Sequence, residues 1–223
     1  MRDAFARIDW TPLRLSFEVA CAATFIALLS GVPCAWLLAR RSFRGRTLLE
    51  ALGSLPLVLP PTVLGYYLLV ALGRRSVLGH AFEAVTGSPL TFTLWGAVIA
   101  STVHAFPLLL RTARAAIADV DPTLEQAART LGANEIRIAF SVTFPLARSG
   151  IIAAATLAFA RALGEFGVTL MVAGNIPGQT RTAALAIYDA MQAGRDSDAQ
   201  ALAAVLTAFA LAALWLVGRW TRA

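Results

Sequence analysis

The chain has 223 residues, of which 58% are hydrophobic and 14% are charged. A soluble domain is about half apolar and roughly a quarter charged, so this composition excludes intrinsic disorder and an ordinary water-soluble enzyme. The net charge is +6 and every basic residue is an arginine, but no recognition module accompanies that charge, and we expect no nucleic-acid partner.

Several apolar runs approach the roughly 20 residues that a membrane-spanning helix needs. They cover residues 15–39, 48–72, 92–110, 142–163 and 199–217. We therefore predict an all-α membrane protein, a single domain over 1–223, with about five transmembrane helices surrounded by lipid.

The first run ends in a cluster of four arginines at residues 40–46. Because arginine collects in cytoplasmic loops, this cluster is predicted to lie inside. Alternation then places the N-terminus outside and the C-terminus in the cytoplasm. It also puts a loop over about 111–141 inside and a region over about 164–198 outside.

The second run contains three prolines, Pro56, Pro60 and Pro61, followed by Gly65. Proline removes a backbone donor and clashes with the preceding turn, so a kink or break is predicted near Pro60. Broken helices at membrane depth occur where protein or a water-filled cavity surrounds them. The break is either a packing kink or part of a pathway, in which case Pro60 and Pro61 are pathway candidates.

The predicted outer region also contains short elements. Residues 166–173 are apolar but too few to span, residues 174–178 form a turn cluster, and residues 183–191 resemble a short surface helix. We interpret this region as a re-entrant or interfacial excursion that could act as a gate, with Asn175 in its turn as a candidate gate residue.

The predicted inner loop carries a short amphipathic helix over residues 123–131. Asp121 suits the N-cap, Pro122 the first helical position and Gly132 the C-terminal end. Its small apolar face is formed by Leu124, Ala127, Ala128 and Leu131. A helix this short needs support, either from its own bundle or from another protein surface.

The residues of this loop resemble the EAA loop of bacterial ABC importer permeases. The match consists of Gln126-Ala127-Ala128, Gly132 and Val142-Thr143-Phe144-Pro145. In that family the loop is a coupling helix that docks into a cytoplasmic ATPase. The resemblance assigns this contact to Leu124, Glu125, Gln126, Ala127, Ala128, Arg129, Leu131 and Gly132. Gln126 stands where the family has glutamate and Glu125 lies one residue earlier, so the acidic contact stays open.

Further segments resemble the molybdate permeases of this class, which have the type I importer fold. They are residues 54–61, 65–69, 124–133, 158–167, 175–178 and 180–182. Sulfate permeases share the general plan, and tungstate is too similar to molybdate to be separated from it. The resemblance implies a homodimer in the bacterial inner membrane that works with two ATPase subunits and an outer substrate-binding protein.

This resemblance also implies that the chain is a pore-forming subunit and not an enzyme. ATP and Mg would be bound by the partner, because a phosphate-binding loop with its lysine cannot be formed without lysine. The chain itself is expected to carry no catalytic residue, metal or cofactor. A non-transporting membrane scaffold would also explain the hydropathy, but not the coupling loop.

Arg161 and Glu165 lie four residues apart in an apolar run. Ionisable groups at membrane depth are costly and usually paired or facing water. The two residues either form a structural ion pair or brace a gate and help an anion through. His80 and His104 are isolated in the sequence, so we interpret them as packing or interfacial residues and predict no metal site.

Overall fold

The computed structural model of the protein describes residues 9–221. Within that range the chain is helical and contains no strand. The helices are α1 (Thr11–Arg40), α2 (Arg46–Val58), α3 (Pro61–Leu72), α4 (Val77–Thr86), α5 (Leu94–Ala118), α6 (Pro122–Thr130), α7 (Glu135–Ile138), a π-helix (Ala139–Thr143), α8 (Phe144–Leu146), α9 (Arg148–Leu163), α10 (Gly167–Ala173), α11 (Ala183–Gln192) and α12 (Asp196–Thr221).

Three helices are long and apolar enough to cross a membrane by themselves: α1, α5 and the Asp196–Trp215 part of α12. Two bent pairs, α2 with α3 and Glu135–Leu146 with α9, reach the same length and composition only when each pair counts as one span. The predicted all-α membrane fold is confirmed, and its five runs correspond to these three helices and two bent pairs.

The second predicted span is broken where the prolines predicted it. Leu59 and Pro60 both have extended backbone angles, and α3 begins at Pro61. The axes of α2 and α3 differ by 115°, so the break predicted near Pro60 is confirmed. Each half is about 20 Å long or less, which is shorter than the roughly 30 Å hydrocarbon core of a bilayer.

Two other predicted boundaries need correction. Helix α5 continues through Ala118, so the first eight residues of the predicted loop 111–141 belong to it. The predicted span 142–163 starts too early, because Val142 and Thr143 lie in the π-helix and the chain bends by 76° before α9. At Arg111 the apolar run ends although the helix continues, and across residues 142–147 the apolar run continues although the chain bends. Hydropathy alone therefore marks neither boundary.

The core is formed by α1, α5 and α9, which meet through small side chains. The fully buried alanines in this cluster are Ala20, Ala23, Ala27, Ala35, Ala105, Ala113, Ala154 and Ala158. Small residues let helix backbones approach closely, which is how helices associate in the absence of a hydrophobic driving force. A second cluster packs α10 against α3 and α5 through Leu64, Ala100, Val168 and Val172.

Gly150 shows how tight the contact between α9 and α5 is, because a Cβ added there would overlap the Cβ of Ala116. We expect Gly150→Leu to lower the free energy of unfolding by about 1–3 kcal/mol, the usual cost of overpacking. Gly218→Leu in α12 is the matched control, since a Cβ there meets nothing within 4 Å. Thermal unfolding of both variants in detergent tests this, and an unchanged midpoint for Gly150→Leu would contradict it.

Candidate functional site

Helix α6 has the capping that the sequence predicts. The Asp121 carboxylate accepts a 2.9 Å hydrogen bond from the backbone N–H of Thr123, and that bond lowers the pKa of Asp121 below its ordinary value. The cap therefore stays ionised at neutral pH, where a negative charge suits a helix N-terminus. Gly132 ends the helix with φ +82°, a conformation that side chains rarely adopt.

One side of α6 faces the rest of the chain, and Glu125 is the buried residue on that side. Its carboxylate accepts hydrogen bonds from Arg40 Nε at 2.9 Å and from Thr143 Oγ1 at 2.7 Å. Arg40 also donates to the carbonyl of Val120 at 2.8 Å. Glu125 was predicted within the ATPase-contacting set, but its side chain is directed into this chain's own bundle.

The other side of α6 and the segment after it are exposed and apolar. Leu131 is 88% exposed, and Ile136 and Phe140 are both about 70% exposed. Phe140 also stacks edge-on against Phe144 with ring centroids 5.3 Å apart. The remaining predicted contact residues on α6 that are exposed are Leu124, Gln126, Ala127 and Arg129, and Ala128 is partly buried. This exposed apolar surface is available for a partner.

A charge pair fixes the segment that follows α6. Arg129 donates two hydrogen bonds to the Glu135 carboxylate, at 2.7 and 3.1 Å. This interaction lowers the pKa of Glu135 and raises that of Arg129, so both groups are charged at neutral pH. The pair holds α7 beside the end of α6.

A second candidate site is a buried polar cluster between α5, α9 and the start of α10. His104 Nδ1 lies 2.6 Å from Glu165 Oε2, with side chains 7% and 2% exposed. Arg161 Nη1 lies 3.1 Å from the same carboxylate oxygen, and Arg161 Nη2 lies 2.6 Å from His104 Nε2. The ion pair of Arg161 with Glu165, one of the two alternatives that the sequence left open, is present, although α9 ends at Leu163 and does not include Glu165.

One tautomer of His104 satisfies these contacts. A neutral imidazole that donates from Nδ1 to Glu165 can accept at Nε2 from Arg161. The cluster then has one positive and one negative charge, which compensate each other inside the bundle. His104 is buried, as its interpretation as a packing residue requires, but it is not isolated, because it contacts Glu165 and Arg161. A polar residue in an apolar run needs a partner, but sequence spacing does not say which one.

The proline break and this cluster meet at α10. A Cβ added to Gly167 would come within 2.7 Å of Pro61 Cβ, so the break in the second run packs directly against the N-terminus of α10. Glu165 Oε1 accepts from the backbone N–H of Val168 at 2.9 Å in the same place. Both Pro60 and Pro61 are nevertheless exposed residues.

The predicted gate residue Asn175 lies beyond the opposite end of α10. Its Oδ1 accepts from Arg181 Nε at 2.8 Å, and Arg181 also pairs with Asp189 of α11 at 3.3 Å. The turn is thus tied to α11, which forms where a short helix over 183–191 was predicted. Four predicted pathway or gate residues, Pro61, Arg161, Glu165 and Asn175, therefore surround one short helix.

Across the described part of the chain, no three His, Cys, Asp or Glu side chains are grouped as a metal site would require. Cys21 and Cys34 are both unpaired thiols on α1.

The sequence matches the model of a protein family described as "Binding-protein-dependent transport system inner membrane component" over residues 31–222. The chain is 45% identical over 213 residues to the molybdenum transport system permease protein ModB of Escherichia coli K12, covering 95% of this chain and 93% of that protein. It is 40% identical over 207 residues to ModB of Azotobacter vinelandii, covering 93% and 92%.

Solved structures show a similar fold at low identity. The inward-facing MetNI methionine ABC transporter aligns with a TM-score of 0.74 at 18% identity, over 96% of this chain and 95% of the matched chain. A bacterial ABC transporter that imports the polysaccharide alginate aligns with a TM-score of 0.70 at 14% identity, over 99% and 82%. At these identities the likeness concerns the fold alone.

Proposed function

This chain belongs to the family of binding-protein-dependent transport system inner membrane components, and from that membership we propose that it is the membrane-spanning subunit of an ATP-driven molybdate importer. The observation that carries the proposal is the identity of 45% with a molybdenum permease over almost the full length of both chains. The fold and the exposed coupling helix agree with it.

The exposed surface formed by the C-terminal end of α6, α7 and the π-helix supports docking to a cytoplasmic ATPase. Leu131, Ile136 and Phe140 expose large apolar areas, and such areas mark interaction sites when they lie together. Each copy of the chain would bind one ATPase subunit, where ATP and Mg are held. This chain then supplies no catalytic residue and changes conformation when the ATPase moves α6.

A second copy of the chain would complete the pathway. None of the residues of α2 is buried, and Tyr66, Tyr67 and Val70 on α3 are more than half exposed. Two chains facing each other through α2 and α3 would cover these apolar surfaces and enclose a route for a hydrated oxyanion. The proline break at Pro60 and Pro61 would line that route.

The polar cluster is better suited to bracing the gate than to binding the anion. The guanidinium of Arg161 is occupied by Glu165 and His104, so its charge is compensated. A transporter must also release its cargo, which a strong arginine site would oppose. We therefore assign Arg161 and Glu165 to holding α10, and Asn175 to holding the turn after it.

The orientation follows from the arginine cluster at residues 40–46. The contact of Arg40 with Glu125 supports putting the end of α1 and the coupling helix on the same, cytoplasmic side of the bacterial inner membrane. The N-terminus would then lie outside, the C-terminus in the cytoplasm, and the region over 164–198 would face an outer substrate-binding protein.

The test is uptake of labelled molybdate by cells that lack this chain, compared with the same cells re-expressing it together with its native partners. We expect uptake only with the chain, competed by excess tungstate but not by sulfate. Impaired sulfate uptake with unchanged molybdate uptake would overturn the cargo and keep the importer class. Unchanged uptake of every oxyanion, with no ATPase bound to the purified chain, would favour a non-transporting scaffold.

A further inference from the structure

The buried attachment of α6 to the transmembrane helices is concentrated in one carboxylate. Within the described chain, Glu125 is the one residue of α6 that is buried. It is held by Arg40, the last residue of α1, and the two side chains are only 5% and 11% exposed. The ion pair connects residues that are 85 positions apart in the sequence.

Two further contacts extend this attachment to other elements. Thr143, which is completely buried in the π-helix, donates to the same Glu125 oxygen that accepts from Arg40. Nη2 of Arg40 donates to the carbonyl of Val120, which lies at the junction of α5 and α6. One buried pair therefore joins α1, α6, the π-helix and the end of α5.

The remaining charge pair on α6 is weaker. Arg129 and Glu135 have side chains that are 43% and 35% exposed, and exposed pairs contribute little to stability. A buried pair behaves differently, because removing one partner leaves an uncompensated charge. Glu135 also lies 3.6 Å from Arg41, the residue after α1, but these two side chains are likewise partly exposed. Glu125 is accordingly the buried link that fixes α6 relative to α1. The π-helix that contains Thr143 is relevant as well, because π-helical turns inside α-helices occur frequently at functional sites.

We propose that Glu125 is a positioning residue which clamps α6 to α1 and to the π-helix, so that a displacement of α6 is passed directly to the transmembrane helices. The inference rests on the proposed function and adds a specific route by which the ATPase drives the bundle. It assigns the acidic residue next to Gln126 to this chain's own bundle, and leaves the contact with the ATPase to the exposed apolar surface.

The experiment uses the complete transporter, with its ATPase subunits, reconstituted in liposomes with the substrate-binding protein. ATP hydrolysis and molybdate uptake are measured together for the wild type and for Glu125→Gln, which keeps the size of the side chain. We expect the ATPase subunits to stay bound while molybdate moved per ATP falls roughly tenfold, a typical size for coupling between sites.

Two further variants keep the test informative if Glu125→Gln folds poorly. Thr143→Val keeps the shape but removes the hydroxyl, and should lower the molybdate-to-ATP ratio in the same direction by a smaller factor. Arg40→Lys keeps the charge but loses the forked geometry, and should retain more coupling than Arg40→Gln. A double variant of Arg40→Gln and Glu125→Gln should lose no more than either single variant, since both act as one pair.

The matched control is Glu18→Gln at the opposite end of α1, where an exposed pair with Arg14 is removed. We expect it to keep the wild-type ratio. An unchanged ratio for Glu125→Gln would overturn the clamp, and so would loss of ATPase binding, which would make Glu125 a docking residue. A wild-type transporter that moves sulfate but no molybdate contradicts the proposed cargo, and the clamp is then judged on sulfate moved per ATP.

Discussion

Replacing Gly132 with arginine is expected to reduce molybdate uptake at least tenfold and to release the ATPase subunits from the purified complex. Gly132 has φ +82°, and a residue other than glycine there costs of order 1–3 kcal/mol. The new side chain would also place a charge beside Leu131, which is 88% exposed. The strain and the charge both act at the end of the proposed docking helix.

The loss of docking should exceed what the backbone strain alone explains. A Cβ at Gly132 meets nothing within 4 Å, so the side chain adds no clash with the bundle, and the purified subunit should lose only the stability that the strain costs, about as much as Gly87→Arg loses. Gly87→Arg is the matched control, because Gly87 also has a positive φ and an open Cβ position but follows α4. Full ATPase binding and transport by Gly132→Arg would show that α6 is not the coupling element.

Replacing Glu165 with leucine is expected to destabilise the subunit by about 3–5 kcal/mol, the usual effect of removing one partner of a buried pair. The substitution leaves Arg161 without its counter-charge and His104 without its acceptor. It also removes the acceptor of the Val168 N–H, which opens the start of α10. Thermal unfolding in detergent should show a midpoint several degrees lower.

Two comparisons make this result specific to the buried cluster. Glu165→Gln keeps a hydrogen-bond acceptor and should lose less stability than the leucine variant. Glu83→Leu, which breaks the exposed pair with Arg74, should change stability by about 1 kcal/mol or less. Equal midpoints for Glu165→Leu and Glu83→Leu would mean that the cluster contributes no more than a surface pair.

The features that were predictable are those encoded by residues adjacent in the chain. Asp121, Pro122 and Gly132 define α6 through the backbone angles and hydrogen bonds of its two ends. The prolines at 60 and 61 break the second apolar run because a proline lacks the N–H that a continuous helix uses. These constraints operate over a few residues, so they are readable without tertiary structure.

Boundaries that hydropathy does not mark were less accessible, even where a proline lies close by, as Pro145 does. The Glu135–Leu146 and α9 pair turns by 76°, and α5 runs to Ala118, although hydropathy indicates neither boundary. An alanine-rich segment can continue a helix or form part of a bend, because alanine favours helix and is small enough to pack in many places. Contacts such as that between Gly150 and Ala116 determine where these helices lie.

The sequence by itself therefore determined the membrane class, the capped helix α6, the proline break and the resemblance to oxyanion permeases. Only the tertiary structure decided the partners of the buried charges. His104 meets Arg161 across 57 positions, and Arg40 meets Glu125 across 85. A charge inside an apolar bundle requires a partner, but its identity depends on which helices pack together. That packing follows from the shapes of all the small residues at the helix contacts and not from any local pattern.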